Sequence, residues 1–144
     1  MKILVTGGTG FIGSHTIVEL LNAGYEVVAI DNFANSKRSV LTRIKKITGK
    51  DFSFYEGDVC DPVILDKIFK EHDISAVIHF AGFKAVGESV AKPLMYYRNN
   101  LDSTLNLCEI MQKYNCKRLV FSSSATVYGN PLSLPIKEDF PLST

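Results

Sequence analysis

The chain reads as an α/β protein: a doubly wound parallel sheet, Rossmann-like, with strands in the order 3-2-1-4-5 and helices on both faces. Three observations predict it. Short runs of near-continuous Val, Ile, Leu and Phe alternate with helical segments, the pattern of parallel strands buried on both sides. A glycine-rich turn, TGGTGFIG at residues 6–13, stands directly between the first such run and the first helical segment. An acidic residue, Asp31, closes the second run eighteen positions after Gly13, close to the roughly twenty of dinucleotide-binding units.

The elements follow in order. KILVT (2–6) is a β-branched strand ended by glycines. FIGSHTIVELLNAG (11–24) is a helix with Ile12, Val18, Leu20 and Leu21 on overlapping faces and Gly24 as its stop. YEVVAI (25–30) and FSFYEG (52–57) are the second and third strands. DPVILDKIFKEH (61–72) is a helix with Asp61 as N-cap, Pro62 in the first position, and Val63, Ile64, Ile68 and Phe69 as apolar residues. AVIHFAG (76–82) is the fourth strand, residues 93–114 form a long helix opened by Pro93, and RLVFSSS (118–124) is a fifth, buried strand. The last fifteen residues carry three prolines and read as loop.

Length and charge exclude several classes of function. At 144 residues the chain is one domain. Sixteen basic against fifteen acidic residues leave a net charge of +1, with no long run of one sign, so nucleic acid is not an expected partner. The N-terminus MKILVTGG has too short an apolar run for a signal or a membrane span, and the expectation is a soluble, cytoplasmic protein without membrane contact. Cys60, Cys108 and Cys116 make neither a disulfide framework nor a CxxC pair. His15 and His72 have no ligand at metal spacing, so no metal is expected.

The glycine turn carries the first chemistry. Gly7 turns the chain out of the strand, Gly10 lets a pyrophosphate approach the backbone, and Gly13 lets the helix pack closely. The free N–H groups at the start of that helix hold phosphate oxygens. Asp31 is placed to accept hydrogen bonds from both adenosine ribose hydroxyls and to repel a 2′-phosphate, which favours NAD over NADP. Lys37 and Arg38, a few residues on, read as solvated loop charges. Asp58, just past the third strand, suits an adenine amino group. Ala81 and Gly82 are small enough for a cofactor to pass, and Lys84 is either a cation near its phosphates or ribose or an ordinary solvated lysine. His79, inside a strand, reads as a packed core imidazole. Asn99, on the long helix, turns its amide toward the cofactor or faces solvent.

Taken together, TGGTGFIGSH, the Asp31–Asn32 pair, HFAGFKAVGESV and SSSATVYG resemble the extended short-chain dehydrogenase/reductase family over the whole chain, most closely its sugar-nucleotide C4-epimerase branch. The resemblance implies that Phe11 and Ile12 lie along the pyrophosphate. It implies that Asp31, Asn32, Asn35 and Ser36 form the ribose loop, that Asp58 and Val59 meet adenine, and that Phe80, Ala81, Gly82 and Lys84, with Asn99 nearby, follow the nicotinamide half. Ser124 matches the serine that bonds the reacting sugar hydroxyl; Ser122 and Ser123 read as capping or packing groups at the strand end. Dehydratases of the family carry an acidic pair after these serines, where this chain has Ala125, Thr126 and Val127.

The implied activity is an isomerase reaction. Tightly held NAD removes hydride from C4 of UDP-glucose or UDP-galactose and returns it to the other face, in an enzyme that is a homodimer when complete. The family's base is a tyrosine with a lysine four residues on, and none of the six tyrosines here is followed by one. The expectation is therefore an NAD-binding domain, residues 1–144, that stops before that pair and lacks the C-terminal substrate domain. Such a chain would be inactive alone and would expose apolar surface. A uronate epimerase or decarboxylase of the same family, or a non-catalytic NAD-sensing module, are the alternative readings.

Overall fold

The structure is a computed structural model, which describes residues 1–131 and 133–143. Strands β1 (Lys2–Thr6), β2 (Glu26–Asp31), β3 (Ser53–Glu56), β4 (Ala76–His79) and β5 (Leu119–Phe121) form one sheet in the order β3-β2-β1-β4-β5. All four pairings are parallel. The expected topology is the observed one.

Alternation along the strands builds two cores. Ile3 and Val5 of β1 pack with Ile17 and Leu21 of α1 (Phe11–Asn22) and with Ile44 of α2 (Ser39–Thr48). Leu4, between them, points to the other face. There it joins Leu65, Ile68 and Phe69 of α3 (Pro62–Glu71) and Leu107, Ile110 and Met111 of α5 (Pro93–Lys113). A short helix, α4 (Val86–Ala91), precedes α5, and a 3-10 turn spans Ala125–Tyr128. Burial on both faces is why the strands read as unbroken apolar runs rather than as alternating ones.

Local signals set the helix ends. The Asp61 carboxylate accepts from the Val63 N–H at 2.9 Å, and Pro62 opens α3, as its sequence predicts. Leu65, Ile68 and Phe69 form the buried face of α3, while Val63 lies exposed. In α1 the buried residues are Gly13, Ile17 and Leu21. Ile12, read as part of the apolar face, is 58% exposed at the helix start. Helix α2 has no sequence signal at its start: Arg38 precedes it in helical backbone geometry with no capping side chain, and Gly49, at φ 67°, ends it.

One expectation is overturned at β5. The strand forms, but Leu119, Val120 and Phe121 are all exposed, the last by 53%. It lies at the sheet edge, paired with β4 alone, so its apolar side chains have no layer above them among the described residues.

Candidate functional site

The carboxyl ends of β1, β2, β3 and β4 open onto one cleft of about 640 Å³, counted out to bulk solvent. This is the position where ligands bind in open parallel sheets, beside the strand at which the winding order reverses. Gly7 and Gly10 form its centre, Asp31, Asn32, Ala34 to Ser36 and Asp58 one end, and residues 80–83 with Asn99 the other.

The glycine turn is shaped by contacts that a side chain would block. Gly7 has φ +64°, and a Cβ on it would stand 2.8 Å from the Ala81 nitrogen. A Cβ on Gly13 would meet the Gly7 carbonyl oxygen at 2.2 Å. The close packing allowed by the third glycine is therefore between the helix and the turn itself, which pulls the start of α1 under the loop. The first bond inside α1 runs from Ser14 N–H to Gly10 C=O at 2.9 Å. The N–H groups of Phe11, Ile12 and Gly13 precede it and have no partner within the helix. No side chain caps them and the first turn has no acid. Free N–H groups and the positive end of the helix dipole are the chemistry that suits an anion. Phe11 and Ile12 expose their side chains beside it, Phe11 by 82%.

Asp31 is held by three donors from its own chain. The Thr9 N–H donates to Oδ2 at 3.0 Å; the Phe33 N–H and the Ser36 hydroxyl donate to Oδ1 at 2.9 and 3.3 Å. Because the Ser36 proton is committed to Asp31, the 2.6 Å contact between Thr9 and Ser36 has the Thr9 hydroxyl as donor. The carboxylate keeps a free lone pair on Oδ2, aimed by the turn that carries the phosphate site. Asn32 bridges to the other predicted acid, donating to Asp58 Oδ2 at 3.0 Å, while the Cys60 N–H holds Asp58 Oδ1 at 2.8 Å. The Val59 side chain is buried below. Burial and the neighbouring Asp58 push the Cys60 thiol up to about 11, so it is uncharged at neutral pH.

Arg38 is a largely solvated loop charge, as read, but a tethered one. It forms an ion pair with Glu56 and its guanidinium lies 4.9 Å over the Phe33 ring.

At the other end a chain of hydrogen bonds fixes residues 80–83. Thr104 Oγ1 donates to the Asn100 carbonyl at 2.9 Å, so at 3.2 Å from His79 Nε2 it acts as acceptor. The imidazole thus carries its proton on Nε2, and Nδ1 accepts from the Thr6 hydroxyl at 2.6 Å. Thr6 in turn accepts from the Ala81 N–H at 3.2 Å. Burial, and then the charge of Lys84, push His79 down to about 4, which keeps it neutral. It is the core imidazole expected. Asn100 closes the loop from the other side: its Oδ1 accepts from the Phe83 N–H at 2.8 Å and its Nδ2 donates to the Phe83 C=O at 3.1 Å.

Twelve of the residues singled out from the sequence line the cleft: Gly7, Gly10, the four of the ribose loop, Asp58, Val59, Phe80 to Gly82, and Asn99. Lys84 does not; its ammonium folds back over Gly82, 3.7 Å from where a Cβ would sit. Ser124 also lies outside it. The Ser124 Oγ accepts from the Thr126 N–H at 3.3 Å and lies 2.8 Å from Thr126 Oγ1, so the capping role assigned to Ser122 and Ser123 falls to Ser124. Phe83, inside the segment 80–84 read along the nicotinamide half, lines it too; Ala34, Gly57 and Ser103 line it without having been singled out. Ser103, one helical turn beyond Asn99, was legible from spacing alone.

Comparison with known proteins agrees with this geometry. A family profile described as GDP-mannose 4,6 dehydratase matches residues 4–144. The chain is 64% identical over 142 residues to the UDP-glucose 4-epimerase of Bacillus subtilis (strain 168), covering 99% of this chain and 42% of that protein. It is 60% identical over 139 residues to that of Haemophilus influenzae, covering 96% and 41%. Among solved structures, the UDP-glucose 4-epimerase from Bifidobacterium longum in complex with NAD+ and UDP matches with TM-score 0.94 at 55% identity, over 99% of this chain and 43% of that one. That of Stenotrophomonas maltophila, with bound NAD and formylated UDP-arabinopyranose, matches with TM-score 0.93 at 45% identity, over 99% and 43%. The chain thus spans less than half the length of these relatives.

Proposed function

Because this chain belongs to the GDP-mannose 4,6 dehydratase family, we propose that it is the NAD-binding part, residues 1–144, of an epimerase that interconverts UDP-glucose and UDP-galactose. The observation that carries the reading is the alignment of three groups along one cleft: the uncapped start of α1, the oriented Asp31 carboxylate, and the fixed backbone of residues 80–83. Identity of 64% to a UDP-glucose 4-epimerase supports the choice within the family, as does the absence of an acid at residues 125–127.

The residues fit the cofactor on their own geometry, since a side chain at Gly7 or Gly13 would collide with the turn that surrounds the anion site. When bound, NAD supplies the acceptor and later the donor of hydride at C4 of the hexose. The chain's own residues do the rest of the binding. The N–H groups of Phe11, Ile12 and Gly13 hold the diphosphate. Asp31 accepts from the adenosine ribose, with Asn32, Asn35 and Ser36 around it, and Asp58 and Val59 meet adenine. Phe80, Ala81, Gly82 and Asn99 flank the nicotinamide half, with Lys84 adding positive charge at the rim. Ser124, at the end of β5, orients the reacting sugar hydroxyl. The base for that hydroxyl is not among these residues: no tyrosine is followed four positions later by lysine, and the 144-residue chain alone is expected to be inactive.

The partner surface is α5. Leu94, Tyr97, Leu101 and Leu105 are each more than half exposed and repeat at spacings of three and four residues, an apolar stripe suited to a second copy of the same helix. A homodimer is the proposed assembly, in the cytoplasm, where the free thiols Cys60, Cys108 and Cys116 stay reduced.

Calorimetric titration with NADH tests the reading. Saturable binding that Asp31→Ala weakens is expected, and no binding to the folded protein would overturn it.

A further inference from the structure

Arg38 is a cation that the cofactor reading leaves unexplained. It lies two residues beyond Ser36, which lines the ribose end of the cleft and bonds Asp31. An arginine there is the group that would welcome a 2′-phosphate, because its planar fork matches phosphate oxygens. Two partners take it up instead. Its guanidinium stacks 4.9 Å over the ring of Phe33, a residue held at φ 57°, and its Nη2 pairs with Glu56. Phe33 in turn packs on Phe54 of β3 at 5.3 Å between ring centroids. Glu56 ends β3 directly beside Asp31, its register partner across β2 and β3.

Resting on the NAD reading above, we propose that Glu56 is a specificity-determining residue: by holding Arg38 against Phe33 it withholds the nearby guanidinium from the 2′-phosphate of NADP. Two neighbouring acids then divide the work, Asp31 in the cleft as a direct acceptor for hydroxyls and Glu56 outside it as the anchor of the arginine. Glu56 is a positioning residue, since it acts through Arg38 and does not line the cleft. The pair is largely exposed, with 69% of the Arg38 side chain and 47% of the Glu56 side chain open to solvent, so its grip is modest and screened by salt.

The test is titration of the protein with NADH and with NADPH at low ionic strength, in the unaltered chain, in Glu56→Gln and in Arg38→Ala/Glu56→Gln. Glu56→Gln is expected to shift the affinity ratio toward NADPH by about five- to ten-fold with NADH affinity unchanged, since one freed guanidinium gains one charge-assisted contact at an exposed site. The double variant is expected to lose that gain. A ratio unchanged in Glu56→Gln, or a shift that survives removal of Arg38, overturns the inference while leaving the NAD reading intact. Failure of NADH to bind the unaltered chain removes the reading, and the inference with it.

Discussion

The Thr6 hydroxyl stands 2.6 Å from Nδ1 of His79, and neither residue is open to solvent. This contact joins β1 to β4 at the height of the cleft, and the tautomer that makes Nδ1 its acceptor is set by the other nitrogen, which donates to Thr104 on α5. Through Thr6 the pair holds the Ala81 N–H, and through Thr104 it meets Asn100, which clamps Phe83. The strand order fixes where the cleft lies; this chain of hydroxyls and imidazole fixes how its far wall is turned.

Replacing His79 by Leu leaves the Thr6 proton without an acceptor and Thr104 without a donor. Stability is expected to fall by about 1–3 kcal/mol for the buried Thr6 hydroxyl proton left unpaired, while Thr104 keeps its bond to the Asn100 carbonyl. The urea midpoint measures it. NADH affinity should fall as well, because residues 81–83 lose their tether.

The same imidazole sets a pH dependence. His79 is pushed from 6.5 down to about 4 in the folded chain, so between those values the unfolded chain binds a proton that the folded chain does not. Stability is therefore full above pH 6.5 and falls as pH drops toward 4, by roughly 3 kcal/mol from this group. Urea melts at pH 7, 6 and 5 should trace the loss, and His79→Leu should flatten it.

In the proposed reading Asp31 is the acid that meets the adenosine ribose. Asp31→Ala is expected to weaken NADH binding about ten- to hundred-fold, the usual worth of hydrogen bonds to a charged acceptor. Calorimetry measures it. The variant also frees Thr9, Phe33 and Ser36, so faster amide exchange at Thr9 and Phe33 should accompany the loss.

Gly13→Ala forces a methyl to 2.2 Å from the Gly7 carbonyl, with only backbone in the way. The start of α1 must move off the turn. A stability loss of about 1–3 kcal/mol is expected, with NADH binding lost beyond that. Thermal denaturation and titration separate the two.

Asp61→Ala removes the carboxylate that caps α3 through the Val63 N–H. A loss of about 1 kcal/mol is expected in thermal melts, without change in NADH affinity, since Asp61 does not line the cleft.

Sequence alone went far where local chemistry decides. The alternation of strands and helices, the capped start of α3 and the glycine turn all follow from residues a few positions apart. Helix α2 escaped because its start has no capping side chain, and a run of Arg and Lys between its apolar positions hides its one buried residue, Ile44. The exposure of β5 escaped for a different reason: an apolar strand reads the same whether or not another layer covers it. Most of the cleft was legible as a list of residues, but not the donors around Asp31. These come from positions 9, 33 and 36, and only the folded sheet brings them to one carboxylate. The partner of Arg38 was hidden for the same reason, since Glu56 reaches it from the neighbouring strand.

The distance in sequence between Thr6 and His79 has a bearing on how the protein is born. A ribosome that has released only β1 to α3 has delivered the glycine turn and both acids, yet no opposing wall. Residues 80–83 and the helix that clamps them are still to come. On the proposed reading nucleotide capture waits for the later half of the sheet to dock, so cofactor supplied during translation is expected to protect finished molecules from proteolysis and not nascent ones.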